Sequence, residues 1–172
     1  MTAASPRVAP SGVTVDVLSE SPLWEAEPGA EAVVREAIAQ AAAIAGTAGP
    51  ATEVAVLLCD DATIAALNAQ WRGREEPTNV LSFPVPPASD PSASEAGVHL
   101  GDIAIARETA VREASEQGRT VSQHLAHLAV HGFLHLLGYD HQTDDEAEHM
   151  EGLEREILAG LGISDPYAPH DA

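Results

Sequence analysis

The residues best placed to do chemistry fall in one stretch, His131-Gly132-Phe133-Leu134-His135-Leu136-Leu137-Gly138-Tyr139-Asp140-His141. His131 and His135 stand four apart, a little over one helical turn, so on a helix their imidazoles lie on one face and can close on a single metal ion. His141 cannot join them if the helix continues, because it would point away and sit about 15 Å further along the axis. Gly138 resolves this, since glycine ends helices in the left-handed conformation and turns the chain back. Three neutral imidazoles leave one tetrahedral position open, the pattern of a catalytic rather than a closed structural zinc site. The same spacing occurs in zinc endopeptidases, which carry Glu directly after the first His as general base. This chain has Gly132 there, which has no carboxyl group to take a proton, so the spacing says metal while the missing Glu argues against peptidase chemistry.

A helix must carry these ligands, and the pattern supplies one. Thr120 and Gln123 form a capping box that opens a helix over 121–137. Val121, Leu125, Leu128, Ala129, Leu134 and Leu136 cover most of its circumference, so it is expected to be buried and rigid. His124 and His127 read as satisfied core or groove histidines. Thr143 and Glu146 cap a last helix with Met150, Leu153, Ile157 and Leu161 inward.

Upstream, Val13 to Leu18 alternates as a half-buried strand. Trp24 and Pro28 fall in a loop. Glu31 to Ala45 has apolar residues at helical spacing and stops at Gly46. Thr52 to Cys59 is apolar enough for a central strand. Asp60 or Asp61 caps a short helix through Trp71 with Ile64, Leu67 and Trp71 as its inward stripe. Arg72 to Thr78 is a loop, Val80 to Phe83 a short strand, 84–98 a mobile excursion, Leu100 to Ala106 a fourth strand, and Arg107 to Gln117 a polar helix.

The chain has 172 residues, enough for one domain with a full core. The expected organisation is a disordered extension over 1–12, a single domain over 13–162 and a loose tail over 163–172. No apolar run approaches the ~20 residues of a membrane span, and the start lacks a secretory pattern, so a cytoplasmic protein is expected. The one cysteine, Cys59, permits no intrachain disulfide and reads as a buried strand residue.

Formal charge is −19, with eight Arg and no Lys. Taken alone, that argues against nucleic acid, whose affinity comes largely from phosphate neutralisation. The distribution softens the argument: 62–74 and 117–139 contain no acid, whereas eight acids lie between Asp140 and Glu156.

Three segments together resemble the YbeY family of bacterial rRNA maturation endoribonucleases. Leu67-Asn68-Ala69-Gln70-Trp71-Arg72-Gly73-Arg74-Glu75-Glu76-Pro77-Thr78-Asn79-Val80-Leu81-Ser82-Phe83-Pro84 is similar to its L-N-x-x-[aromatic]-R-G-x-x-x-P-T-[DN]-V-L-S-F-P stretch. Leu100-Gly101-Asp102-Ile103 matches L-G-D-I, and the histidine stretch matches H-G-x-L-H-L-x-G-Y-D-H. The resemblance runs from roughly Val13 to Leu161. It implies an α/β (α+β) fold with a mixed four-stranded sheet, one zinc per chain on His131, His135 and His141, and Arg72 as the functional arginine. It also implies single-strand endoribonuclease activity in 16S rRNA 3′-end maturation and ribosome quality control. The expected partners are single-stranded rRNA, the small ribosomal subunit and proteins on it, with no membrane and no DNA. The absence of Lys is a departure that leaves RNA contact to a few arginines. In this reading Arg72 pairs with the scissile phosphate, bidentate and always charged. Asp140, beside a ligand, is expected to orient an imidazole or to cap the turn. Asp102 is a strand-start or turn residue, and Thr78 and Ser82 are weak candidates to line the groove. Two alternatives stand beside it: a metallopeptidase-like hydrolase, and a non-catalytic ribosome-associated factor with structural zinc, which needs a fourth protein ligand.

Overall fold

In a computed structural model of the chain, residues 13–46, 52–85 and 98–167 are described. Strand β1 (Val13–Ser19) buries Val13 and Val15 and exposes Thr14 and Asp16, the alternation of a strand with one covered face. β2 (Thr52–Cys59) lies inside the sheet, whose order is β1-β2-β4-β3. β1 and β4 (Val98–Ala106) both run parallel to β2, and β3 (Val80–Pro84) closes one edge antiparallel to β4. This is a mixed four-stranded sheet in a single α/β domain. Parallel neighbours need a crossover, and α1 (Ala30–Ala45) supplies it between β1 and β2. Between β1 and α1, Pro22–Ala26 forms a 3-10 turn where a plain loop was expected. It buries Trp24, whose indole N–H donates to the Cys59 carbonyl at 2.8 Å.

The helix expected over 121–137 is α4 (Val121–Leu136). It packs on β3 and β4 and touches α1, α3 (Arg107–Glu116) and α5 (Asp144–Gly160). Both capping boxes form. Thr120 Oγ1 accepts the Gln123 N–H at 3.0 Å while Gln123 answers to the Thr120 N–H at 3.0 Å, and Thr143 and Glu146 do the same for α5 at 3.1 Å each way. Each cap satisfies otherwise unpaired backbone donors, worth about 1 kcal/mol. Gly132 lets α4 approach the sheet closely. A Cβ on it would stand 3.0 Å from Ile103 Cγ2, 3.2 Å from Ser82 Oγ and 3.3 Å from Val80 Cγ2. The Ser82 hydroxyl donates to the Gly132 carbonyl at 3.0 Å and staples β3 to the helix.

α2 (Asp61–Arg72), capped by the Asp60 side chain, corrects one expectation. Its buried positions are Ile64 and Asn68, while Trp71 is 64% exposed. The helix packs against β4 and α3, and its last turn stands beside an open cavity on the face of the sheet. Trp71 there meets Phe83 at 6.0 Å between ring centroids, on the rim of an apolar cavity of about 880 Å³ that also takes in Leu18, Leu57 and Val85. Asn68 is buried because it is bonded: its side-chain amide donates to the Glu76 carbonyl at 2.9 Å and pins the loop after the helix. Cys59 is buried as expected. Burial, reinforced by Glu20, Asp60, Asp61 and Glu108, pushes its thiol up to about 12, which removes it as a nucleophile.

The extension over 1–12, residues 86–97 of the excursion expected over 84–98, and residues 168–172 lie outside the described residues, while Pro84 and Val98, the two ends of that excursion, belong to β3 and β4. The stretch 163–167, expected to open a loose tail, is tied down. Arg119 donates to the Ser164 and Asp165 carbonyls at 3.2 and 2.9 Å, and Arg155 pairs with Asp165 at 3.2 Å. Two arginines thus hold a segment whose composition alone carries no sign of docking.

Candidate metal centre

The helical spacing brings His131 Nε2 to 3.1 Å from His135 Nε2. α4 then ends at Leu136 with Leu137 as cap, and Gly138 takes φ 104°. The Tyr139 N–H reaches back to the Leu134 carbonyl at 3.1 Å and the Gly138 N–H to that of His135 at 3.0 Å, which satisfies the helix end as the chain reverses. The reversal returns His141 to the other two. Its ring stacks on His131 at 5.6 Å and 25°, and meets His135 edge-on at 5.1 Å. One nitrogen from each of the three lies within 4.8 Å of the others, the one such group of metal-binding side chains among the described residues. The set fits a first-row transition metal. Two imidazole nitrogens sharing a tetrahedral ion at ~2.0–2.1 Å stand about 3.3 Å apart, close to the separation found here.

The triad opens on a cavity of about 660 Å³. Tyr139, Asp140 and Gln142 line it beside the histidines, and Arg72, Asn79 and Ser82 line it from the α2–β3 side of the chain. Arg72 is the last residue of α2, and Gly73 at φ 70° turns the chain away behind it. The Arg72 guanidinium leans towards β3, with Nη2 3.4 Å from the Ser82 carbonyl. The fold therefore brings Arg72 to the triad. It leaves Arg74 outside, exposed and 3.9 Å from Glu76. It also sends Asp102 to the other face of the sheet, where His99 pairs with it at 3.0 Å. Thr78 is half-buried in the loop before β3.

A family model described as Endoribonuclease YbeY matches residues 23–162. The chain belongs to the YbeY family. Relatives carrying the name Endoribonuclease YbeY include one from Nitrobacter hamburgensis, 52% identical over 163 residues that cover 94% of this chain and 86% of the relative. One from Nitrobacter winogradskyi is 56% identical over 155 residues, 90% and 82% of the two chains. One from Rhodopseudomonas palustris strain BisA53 is 55% identical over 156 residues, 91% of each. A solution structure from Thermotoga maritima is alike in fold, with a TM-score of 0.51 and 23% identity, covering 91% of this chain and 100% of its own.

In this YbeY-family chain the carboxylate nearest the triad in sequence does not orient an imidazole. Asp140 turns back and accepts the His141 N–H at 2.8 Å, so it shapes the turn. The carboxylate that does bond a ring of the triad is Glu154 on α5, fully buried, which receives His131 Nδ1 at 2.8 Å and His127 Nε2 at 3.3 Å. Burial alone would raise the Glu154 carboxyl, but hydrogen bonds from His127 and His131 outweigh it and hold it at about 2. Sequence reasoning passed over Glu154 among the acids of α5. A signal was present: it lies four after Met150 and three before Ile157, an acid on the apolar stripe, and buried acids need partners. Gly132 further separates this site from the peptidase pattern. The position faces β3 and β4 at contact distance, leaving no room for a glutamate beside the triad.

Burial also lowers the pKa of His124, against the opposing pull of Glu113, which its Nε2 meets at 2.8 Å. The folded chain therefore holds His124 neutral below the ~6.5 at which a free histidine titrates. Stability from this site is present above that value and is lost as pH falls through it, because the unfolded chain binds the proton first. The expected NMR titration of the His124 ring has its midpoint below 6.5; a midpoint at or above 6.5 contradicts this environment.

Proposed function

We propose that this chain is a metal-dependent endoribonuclease that cleaves single-stranded RNA, with His131, His135 and His141 holding one zinc and Arg72 receiving the scissile phosphate. The observation that carries the reading is the shared cavity: three convergent imidazoles and the Arg72 guanidinium line the same space. A zinc bound there supplies Lewis acidity towards a phosphoryl oxygen. Arg72 offers two parallel N–H donors to a phosphate. The open cavity admits a flexible single strand, whose bases can splay from the backbone.

The substrate in this reading is 16S rRNA near its 3′ end, in the cytoplasm and on the small ribosomal subunit. Among the described residues no helix is long and apolar enough to cross a membrane. At −19, with no Lys, the free protein has few cations to displace counterions from RNA, so the ribosome and its proteins supply the affinity. The non-catalytic zinc reading needs a fourth protein ligand. Among the described residues no carboxylate or thiol joins the three histidines, and Asp140, the nearest in sequence, accepts the His141 backbone N–H.

Purified protein incubated with a single-stranded RNA, a duplex RNA and a peptide tests the proposal. The expected result is cleavage of the single strand alone, stopped by chelator and restored by zinc. Peptide hydrolysis, or intact RNA with fully metal-loaded protein, overturns it.

A further inference from the structure

Glu154 is fully buried and both of its oxygens are engaged. Oε2 faces His131 Nδ1 at 2.8 Å and His127 Nε2 at 3.3 Å, and Oε1 accepts the Tyr167 hydroxyl. An ionised carboxylate only accepts, so the proton between Glu154 and His131 belongs on His131 Nδ1. That leaves a lone pair on Nε2, the atom that faces His135. Tyr167 comes from beyond α5 and is itself placed from several sides. Its ring stands edge-on to His127 at 5.5 Å, the Arg155 guanidinium lies 5.9 Å from the ring centre, and Asp165 accepts its backbone N–H at 2.8 Å. Arg119 and Arg155 anchor Asp165 in turn.

We infer that Glu154, held in register by Tyr167, is a positioning residue for the metal centre: it sets the tautomer and orientation of His131, so that the segment after α5 reaches a metal ligand through two hydrogen bonds. The inference rests on the reading of the triad as a metal site. A carboxylate that only neutralised nearby histidines would affect the stability of the chain and leave its metal affinity alone. One that positions a ligand contributes about ten- to a hundredfold in affinity.

The test is zinc affinity by competition with a chromophoric chelator, in wild type, Glu154→Leu, Glu154→Gln and Tyr167→Phe, with ring ¹H–¹⁵N spectra of the zinc-free proteins alongside. Zinc-free wild type is expected to carry the His131 proton on Nδ1. Glu154→Leu is expected to mix the tautomers and weaken zinc about ten- to a hundredfold. Glu154→Gln keeps an acceptor oxygen and recovers part, and Tyr167→Phe weakens zinc several-fold. If Glu154→Leu does not fold, the other two variants carry the comparison. Zinc affinities within twofold of wild type in the folded variants overturn the inference, as does a wild-type His131 protonated mainly on Nε2. A wild type that takes up no zinc instead sinks the metal reading of the triad beneath it, a failure visible before any variant is made.

Discussion

Replacing His131, His135 and His141 together by alanine is expected to leave a folded chain that holds no stoichiometric metal and cleaves no RNA. The fold survives because the three rings face the cavity, while α4 is held by the fully buried Leu125, Phe133 and Leu134 and by its capping box. Alanine at 131 and 135 favours the helix. Glu154 loses one donor but keeps His127 and Tyr167, so its carboxylate is not stranded. The metal is lost because no fourth side chain of ligating type stands with the three among the described residues. Elemental analysis with circular dichroism checks both halves. Stoichiometric metal retained by a folded triple variant places the site elsewhere.

Arg72→Ala is expected to keep the fold and the metal and to lower cleavage by roughly thirty- to a thousandfold, about 2–4 kcal/mol for removing a charge-assisted hydrogen bond to phosphate in a partly dry site. The side chain contributes little to the fold: it is exposed, and its bond to the Ser82 carbonyl is long at 3.4 Å. Its position is rigid because it ends a helix, with Gly73 taking the left-handed turn behind it. Lysine at 72 restores the charge but not the paired donors, so only part of the rate returns. Arg74→Ala is the control. Two residues on, past Gly73, that side chain points into solvent, and its loss is expected to matter far less. Equal small effects at both positions, with metal content unchanged, reduce Arg72 to a solvated surface arginine.

Much of the architecture was legible because its causes are local. The capping residues Thr120, Thr143 and Asp60 act within three or four positions of themselves, and each starts a helix where its side chain implied. The alternation in Val13–Ser19 and the apolar run Thr52–Cys59 mark strands by the same short-range logic. Trp71 shows the limit. Helical periodicity put it on the inward stripe, yet a residue is buried only if something fills the space opposite, and Trp71 looks onto an open cavity with Phe83 at its rim. Asn68 is the converse, a polar residue taken inside because the Glu76 carbonyl meets it there.

The histidine triad could be read from the chain alone. The four-residue spacing of His131 and His135 and the glycine three further on act within one helix and its cap, whose geometry is set by backbone sterics over about ten residues. What surrounds the triad depends on how distant elements pack. Arg72 reaches the cavity because α2 ends beside β3. Glu154 reaches His131 across 23 residues because α5 packs against α4. Tyr167 closes over Glu154 because Arg119 and Arg155 tie down the chain beyond α5. Hydrogen bonds between distant segments depend on which faces pack together, and no spacing along the chain encodes that.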